Sequence, residues 1–406
     1  MGTPQELKGE ERERQTGGAG LVAADWREYL PPPYFGFDPG ALTEDVPGIA
    51  QAAYSRYFDG VRAVINSLHV PVGLTPKETV WALNKAKLYR YLPTRPAEER
   101  HPIPLLLVYA LINKPFIFDL CPGRSFIEYM VDQGFDVYLL DWGAPGPEDR
   151  KTSFDDYVTE YLYRAVRKMV RISGAEEISV LGYCLGATLT VVYAALYPHA
   201  PIRNLILLTA PIDFSQQPEG SMAMWLADGR LDVDKLVDTA ENVPGELIRF
   251  WAKMLKPAEN FIGAYVSLFK RVDDQGPASQ AVLAWQAINR WVEDVIPFAG
   301  EAFRQFVTEY VRRNELIRGE HVVGGDGGRL GRRVDLSNIH ASLLNVVAKY
   351  DHLVSQAQAE SIMDQVSSED KELRVIPSSH VGIMASRGAR HKLWPEVVEW
   401  LGERSA

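Results

Sequence analysis

The stretch Ile178-Ser179-Val180-Leu181-Gly182-Tyr183-Cys184-Leu185-Gly186 decides the fold. Its first four residues read as a buried strand, and Leu185 to Leu196 carries a helical pattern. A strand running straight into a helix must turn sharply at the residue between them. Side chains two residues either side of that turn have no room, so glycine stands at 182 and 186. The turn lifts the Cys184 sulfur above the sheet and presents it at a helix N-terminus. This is the nucleophile-elbow pattern with cysteine in place of serine. Glycine is 32 of 406 residues, so chance flanking of either of the two cysteines comes to roughly one in eighty. Cys121 lacks such surroundings and is expected to be a bystander.

Around the elbow, apolar runs alternate with helical patterns. Ile103 to Leu111 reads as a strand, Arg124 to Gln133 as a helix and Phe135 to Leu140 as a strand. Ser153 to Ile172 reads as a long helix with Val158, Leu162, Ala165, Val166 and Met169 on one face. Leu205 to Leu208 is a further strand. Strict alternation implies a parallel sheet covered by helices. It stops after Pro211. Residues 213–335 show no convincing strand but many aromatics, Trp225, Phe261, Trp285, Trp291, Phe298, Phe306 and Tyr310 among them, and read as an inserted helical cap. Aromatics at helical spacing are expected to be mostly core. A glycine-rich stretch, Gly324 to Gly331, reads as a mobile loop. Strand and helix resume at Leu343 to Ala348, Gln356 to Gln365, Leu373 to Ile376 and Lys392 to Leu401. The expected fold is α/β: a hydrolase-type core in two parts, 46–212 and 336–406, with the cap at 213–335. Residues 1–45 form an extension. Its first 20 residues have the composition of a disordered segment, and Leu21 to Gly40 reads as an aromatic arm. Thr75-Pro76-Lys77-Glu78 has the residues of a helix start.

The whole chain narrows the function. Its net charge of -10 argues against a general nucleic-acid binder. Two cysteines make a disulfide framework unlikely in a chain of this size, and the cytoplasm is the expected setting. The longest apolar stretch, Ile103 to Ile112, is too short to cross a bilayer.

An elbow nucleophile needs an acid and a histidine, in that chain order, at the carboxyl ends of later strands. The strand Leu343 to Ala348 ends at Lys349-Tyr350-Asp351-His352, and Leu373 to Ile376 ends at Pro377-Ser378-Ser379-His380. His380 is the expected base, and Asp351 fixes its tautomer. Asp213 is a rival acid that reads better as a helix cap. His352 is a rival base that reads better as a neighbour. The oxyanion hole needs two backbone donors, expected at the N–H groups of Leu185 and Ile112. The remaining histidines show no metal-ligand spacing, and neither a metal nor a cofactor is assigned.

Cysteine narrows the chemistry further. An acyl-cysteine is itself a thioester, so it can be loaded from a thioester with little loss of activation and can pass its acyl group downhill to an alcohol. Acyl transfer from a thioester therefore fits better than ester hydrolysis.

At Leu111-Ile112-Asn113-Lys114-Pro115, Asp119 to Gly123, the elbow, Tyr350-Asp351-His352-Leu353-Val354 and His380-Val381-Gly382-Ile383, the sequence resembles the catalytic subunit of class III poly(3-hydroxyalkanoate) synthases, members of the α/β-hydrolase superfamily. Trp291 to Phe306 (WVEDVIPFAGEAFRQF) is a further match, inside the cap. The resemblance implies polymerisation of (R)-3-hydroxyacyl-CoA, 3-hydroxybutyryl-CoA above all, with the growing polyester held on Cys184 and CoA released. It also implies an oligomer with a second, non-catalytic subunit, of class III or of the related class IV type, at the surface of polyester granules. Ala187 and Ser379 depart from the family's usual glycines. Arg329, Arg332 and Arg333 are candidates for contact with CoA phosphates, although a solvated loop is the commoner role. Two alternatives stay open: a polyester depolymerase or thioesterase with the same triad, and a non-catalytic granule scaffold.

Overall fold

The computed structural model describes residues 46–254, 263–324 and 331–405. The chain divides into the units 1–52 and 53–406. Of the first, the described part is the opening turns of the helix Val46–Ser67. The N-terminal extension, the aromatic arm, Phe261 and most of the glycine-rich loop lie outside the described residues.

The second unit is built on an eight-stranded sheet: β1 (Lys77–Leu83), β2 (Ala86–Tyr91), β3 (Leu105–Val108), β4 (Val137–Asp141), β5 (Ile178–Tyr183), β6 (Ile202–Leu208), β9 (Ser342–Ala348) and β10 (Lys371–Ile376), in the order β1-β2-β4-β3-β5-β6-β9-β10. From β4 to β10 every neighbouring pair is parallel, whereas β1, β2 and β4 pair antiparallel. Two-residue strands β7 (Val322–Val323) and β8 (Arg332–Arg333) form a separate antiparallel ribbon. The central strands read as apolar runs because both their faces are covered. Leu105, Leu106, Leu107 and Val108 are all fully buried, and so are Leu205, Ile206 and Leu207.

Four expectations need correction. Residues 77–83 form a strand and not a helix. Thr75 gives its N–H and hydroxyl to the Asp119 carboxylate (3.0 and 2.8 Å) and caps nothing. The following residues alternate through Thr79 and Trp81 into a two-residue turn, where Asn84 takes the left-handed conformation (φ 52°). The strand expected over Ile103 to Leu111 keeps only Leu105–Val108. Beyond it the chain leaves the ladder, and the Tyr109 carbonyl accepts the Trp142 indole N–H (2.8 Å). The long helix is continuous over residues 154–173 but widens to a π-helix at Tyr157–Leu162. The cap region does contain strand, in the short ribbon β7–β8.

The other regular elements described within residues 213–335 are helices, including Met222–Ala227, Val233–Ala240, Gly245–Met254, Ala264–Gln275, Gln280–Glu293 and a helix over 300–312. Trp285, Trp291, Phe298, Phe303, Phe306 and Tyr310 are buried, so these aromatics are core. Ala63, in the part of the helix Val46–Ser67 that belongs to the second unit, is buried with Leu268, Val272, Val282 and Trp285 of the cap.

Candidate active site

The chain turns from β5 into the helix Leu185–Leu196 at Cys184, whose backbone is left-handed (φ 56°). A non-glycine residue there costs on the order of 1–3 kcal/mol and persists only where its surroundings enforce it. Both glycines are explained by contact. A Cβ on Gly182 would lie 2.5 Å from the Ala187 Cα, and one on Gly186 would lie 2.4 Å from the Val108 carbonyl oxygen. The elbow is thus wedged between its own helix and the end of β3. Ala187, where the family usually has glycine, meets the Gly182 position with its backbone, its Cα and N being the two nearest atoms. Cys184 is partly exposed, while Cys121 is buried, with its thiol pKa pushed up by that burial.

The carboxyl ends of β9 and β10 bring the other two residues in. The Lys349 N–H donates to Ile376 and the Tyr350 N–H to Ser378, so the two strands stay stitched together past their ends. This sets Asp351 against His380, with 2.6 Å between Oδ2 and Nδ1. The other carboxylate oxygen accepts the N–H groups of Leu353 (2.8 Å) and Val354 (3.1 Å). The Asp351 side chain is 1 % exposed, and these bonds orient it fully. Burial pushes its pKa up, but His380 and the two backbone donors outweigh that and hold it below the ordinary value. For His380, burial pushes the pKa down, while the charges of Asp351 and Cys184 and hydrogen bonds to both raise it to about 10. Asp351, His380 and Cys184 are therefore one interacting set.

The rivals fall elsewhere. Asp213 caps the short helix Phe214–Gln216 through the Ser215 N–H (2.9 Å) and also accepts from Asn314 (2.7 Å). His352 is half-buried next to Asp351 in the chain, but the imidazole bonded to Asp351 belongs to His380. Ser379 accepts the Gly382 N–H (3.2 Å) and so steadies the turn after His380.

Leu185 is the first residue of its helix, so its N–H lies among those without an intrahelical acceptor. The loop carrying Ile112 is held from the cap. Ile296 N–H donates to the Ile112 carbonyl (3.2 Å), the Asn113 amide to the Trp291 carbonyl (3.2 Å), and the Trp291 indole to the Lys114 carbonyl (3.0 Å). Lys114 also pairs with Asp294 at 2.7 Å. This is where the segment Trp291 to Phe306 does its structural work, which the sequence could mark but not explain.

Two further features escaped the sequence. The Tyr183 hydroxyl donates to the His380 carbonyl, a bond between residues far apart in the chain. Among the described residues, Glu309, Glu315 and His321 form a cluster of metal-ligating side chains outside the triad. Arg332 lies against the Tyr197 ring (4.7 Å), just past the end of the 12-residue helix that Cys184 begins. That is about 18 Å along the helix from the sulfur. Arg333 donates to Gly319, and Arg329 is outside the described residues.

Comparison with known proteins places this arrangement in a family. The sequence matches the alpha/beta hydrolase fold over residues 103–385 and the N-terminal region of poly-beta-hydroxybutyrate polymerase over residues 67–130. It is 36 % identical over 336 residues to the poly(3-hydroxyalkanoate) polymerase subunit PhaC of Haloferax mediterranei, covering 83 % of this chain and 65 % of that one. To the same-named subunit of Allochromatium vinosum it is 34 % identical, covering 86 % and 95 %. The Synechocystis subunit is also 34 % identical, covering 84 % and 88 %. The chain belongs to the poly(3-hydroxyalkanoate) polymerase family.

Proposed function

We propose that the protein polymerises (R)-3-hydroxyacyl-CoA, carrying the growing polyester as a thioester on Cys184. The observation that carries this reading is the coupling of Cys184, His380 and Asp351 in a family named for that polymerisation.

The cycle balances on these residues alone. Cys184, as thiolate paired with the His380 imidazolium, attacks the thioester carbonyl of the acyl-CoA. The oxyanion accepts the N–H groups of Leu185 and Ile112. The C–S bond to CoA breaks, and the CoA thiolate takes the proton from His380. Neutral His380 then removes the hydroxyl proton of the next 3-hydroxyacyl-CoA, whose oxygen attacks the acyl-Cys184 carbonyl. An ester forms, the thiolate returns, and the extended chain, now a CoA thioester, reloads the cysteine. Asp351 holds the proton-bearing Nδ1 throughout.

For the CoA phosphates we favour a cluster of guanidiniums. The Arg124 pKa is lowered by burial and, among its charged neighbours, by Arg387, Arg271 and Arg390. Arg124 also donates to the Ala385 carbonyl (2.9 Å), at the end of the helix that follows His380. We favour this cluster over Arg332 and Arg333, which engage the Tyr197 ring and the Gly319 carbonyl. The second subunit, the oligomer and the polyester granule belong to the same proposal. No described helix is long and apolar enough to cross a membrane.

The test is CoA release and product analysis with (R)-3-hydroxybutyryl-CoA, for wild type and Cys184→Ala, with and without a class III or class IV partner subunit. Polymer plus CoA, lost in the variant, is the expected result. Free hydroxy acid as the sole product would make the protein a thioesterase.

A further inference from the structure

We propose that Glu309, Glu315 and His321 form a binding site for one divalent transition-metal cation, of which Zn2+ is the best match. The three donors come from separate places: the π-helical segment Phe306–Arg312, the turn after it, and the residue before β7. One ligand atom from each lies within 4.8 Å of the other two.

The argument starts from His321, which is 0 % exposed. Its Nε2 lies 2.8 Å from the Tyr310 hydroxyl and 3.3 Å from a carboxylate oxygen of Asp155. Tyr310 is the hydrogen-bond partner of Nε2, and the Asp155 oxygen has none; in the tautomer that carries its proton on Nε2, Nδ1 is a bare acceptor. The Nδ1 lone pair then points away from the proton. That nitrogen is buried without a hydrogen-bond partner. What faces it is two more acceptors, a Glu309 oxygen at 3.4 Å and a Glu315 oxygen at 3.8 Å. Three acceptors converging in a buried place need a positive charge between them.

The spacing selects a metal over a proton. A charge-assisted N–H···O bond closes to about 2.7–2.9 Å. Ligands held about 2.0–2.2 Å from one tetrahedral cation stand about 3.3–3.6 Å apart; Nδ1 lies 3.4 Å from the Glu309 oxygen and 3.8 Å from the Glu315 oxygen, so a small closure would seat the ion. The donor set, one imidazole and two carboxylates, suits Zn2+, and the hydrogen bond of the second ring nitrogen with Tyr310 is the kind of support a metal-bound histidine carries. The backbone is organised to match. The N–H groups of Glu320 and His321 both donate to the Glu315 carbonyl, and the Val334 N–H to His321. Asp155 belongs to the helix over 154–173, and Phe154 beside it packs on Phe306 and Tyr310. A cation here would fasten the cap helix and the β7–β8 ribbon to the core.

The experiment uses the full chain stripped with a chelator and titrated with Zn2+ alone, read by calorimetry, with metal content measured after gel filtration and thermal unfolding followed in parallel. Wild type is expected to take up one equivalent at this site and to melt at a higher temperature when loaded. Glu309→Gln and Glu315→Gln, each isosteric, should lower that affinity at least about tenfold and remove the thermal shift. Zn2+ held by Cys184 and His380 would survive both substitutions, so uptake unchanged in the two variants overturns the site. Absence of uptake by wild type overturns it too.

Discussion

The Tyr183 hydroxyl donates a 2.7 Å hydrogen bond to the carbonyl oxygen of His380, in a fully buried place. The two rings also lie nearly parallel, 5.5 Å apart. The residue before Cys184 thus holds the backbone of His380, and β5 is tied to the loop after β10. Tyr183→Phe leaves that carbonyl buried and unpaired. Loss of about 1–3 kcal/mol of stability is expected, read from urea unfolding. The polymerisation kcat should fall on the order of tenfold as the imidazole loosens. An unchanged kcat would show that His380 is held well enough by Asp351 alone.

Asp351→Asn probes the other anchor. The carboxylate accepts three hydrogen bonds, one from His380 and two from backbone N–H groups. An amide can turn its NH2 towards the imidazole only by changing the tautomer that His380 must adopt. The expected outcome is a fall in kcat of about a thousandfold or more with a modest change in KM, by analogy with other triads. A loss confined to KM would remove Asp351 from the chemistry.

How much of this was legible follows from what each feature rests on. The elbow geometry at Cys184 could be read because its constraint is local: two glycines, a strand before and a helix after. The juxtaposition of Asp351 and His380 could be read because strand ends in a parallel sheet share one edge. The hairpin β1–β2 was misread at its start, since the partner that diverts Thr75 from capping is Asp119, 44 residues away. The bond from Tyr183 to His380 and the convergence on His321 have the same character. They join positions with no shared periodicity, and only the folded chain brings them together.

The pH dependence of stability isolates His380. Its pKa is raised from 6.5 to about 10, so proton binding favours the folded state. The sign follows: the contribution is fully present below pH 6.5 and is lost as pH rises towards about 10. Asp351, with its pKa lowered, contributes above its ordinary value of 3.8 and loses that contribution as the pH falls further. Denaturation midpoints of wild type and His380→Gln, measured from pH 6 to 10, should therefore converge towards the alkaline end. A gap that stays constant over this range would mean that the imidazole gains no charge-dependent partner on folding.

Trp291 tests whether the cap completes the site. Its indole N–H reaches the Lys114 carbonyl, and its own carbonyl receives the Asn113 amide. Both contacts fix the loop that bears the Ile112 N–H. Trp291→Phe keeps the ring's apolar packing beside Tyr109 but removes the indole donor. A cost of about 1 kcal/mol in stability is expected from one lost hydrogen bond. The catalytic cost should be larger than that, because an oxyanion donor that wanders loses its advantage in the transition state while the ground state is little affected. Acylation rates of Cys184, followed as the first burst of CoA release, should then drop with little change in substrate binding. If burst rate and stability change in equal proportion, Trp291 is an ordinary packing residue and the second oxyanion donor must be sought elsewhere in the loop 109–114.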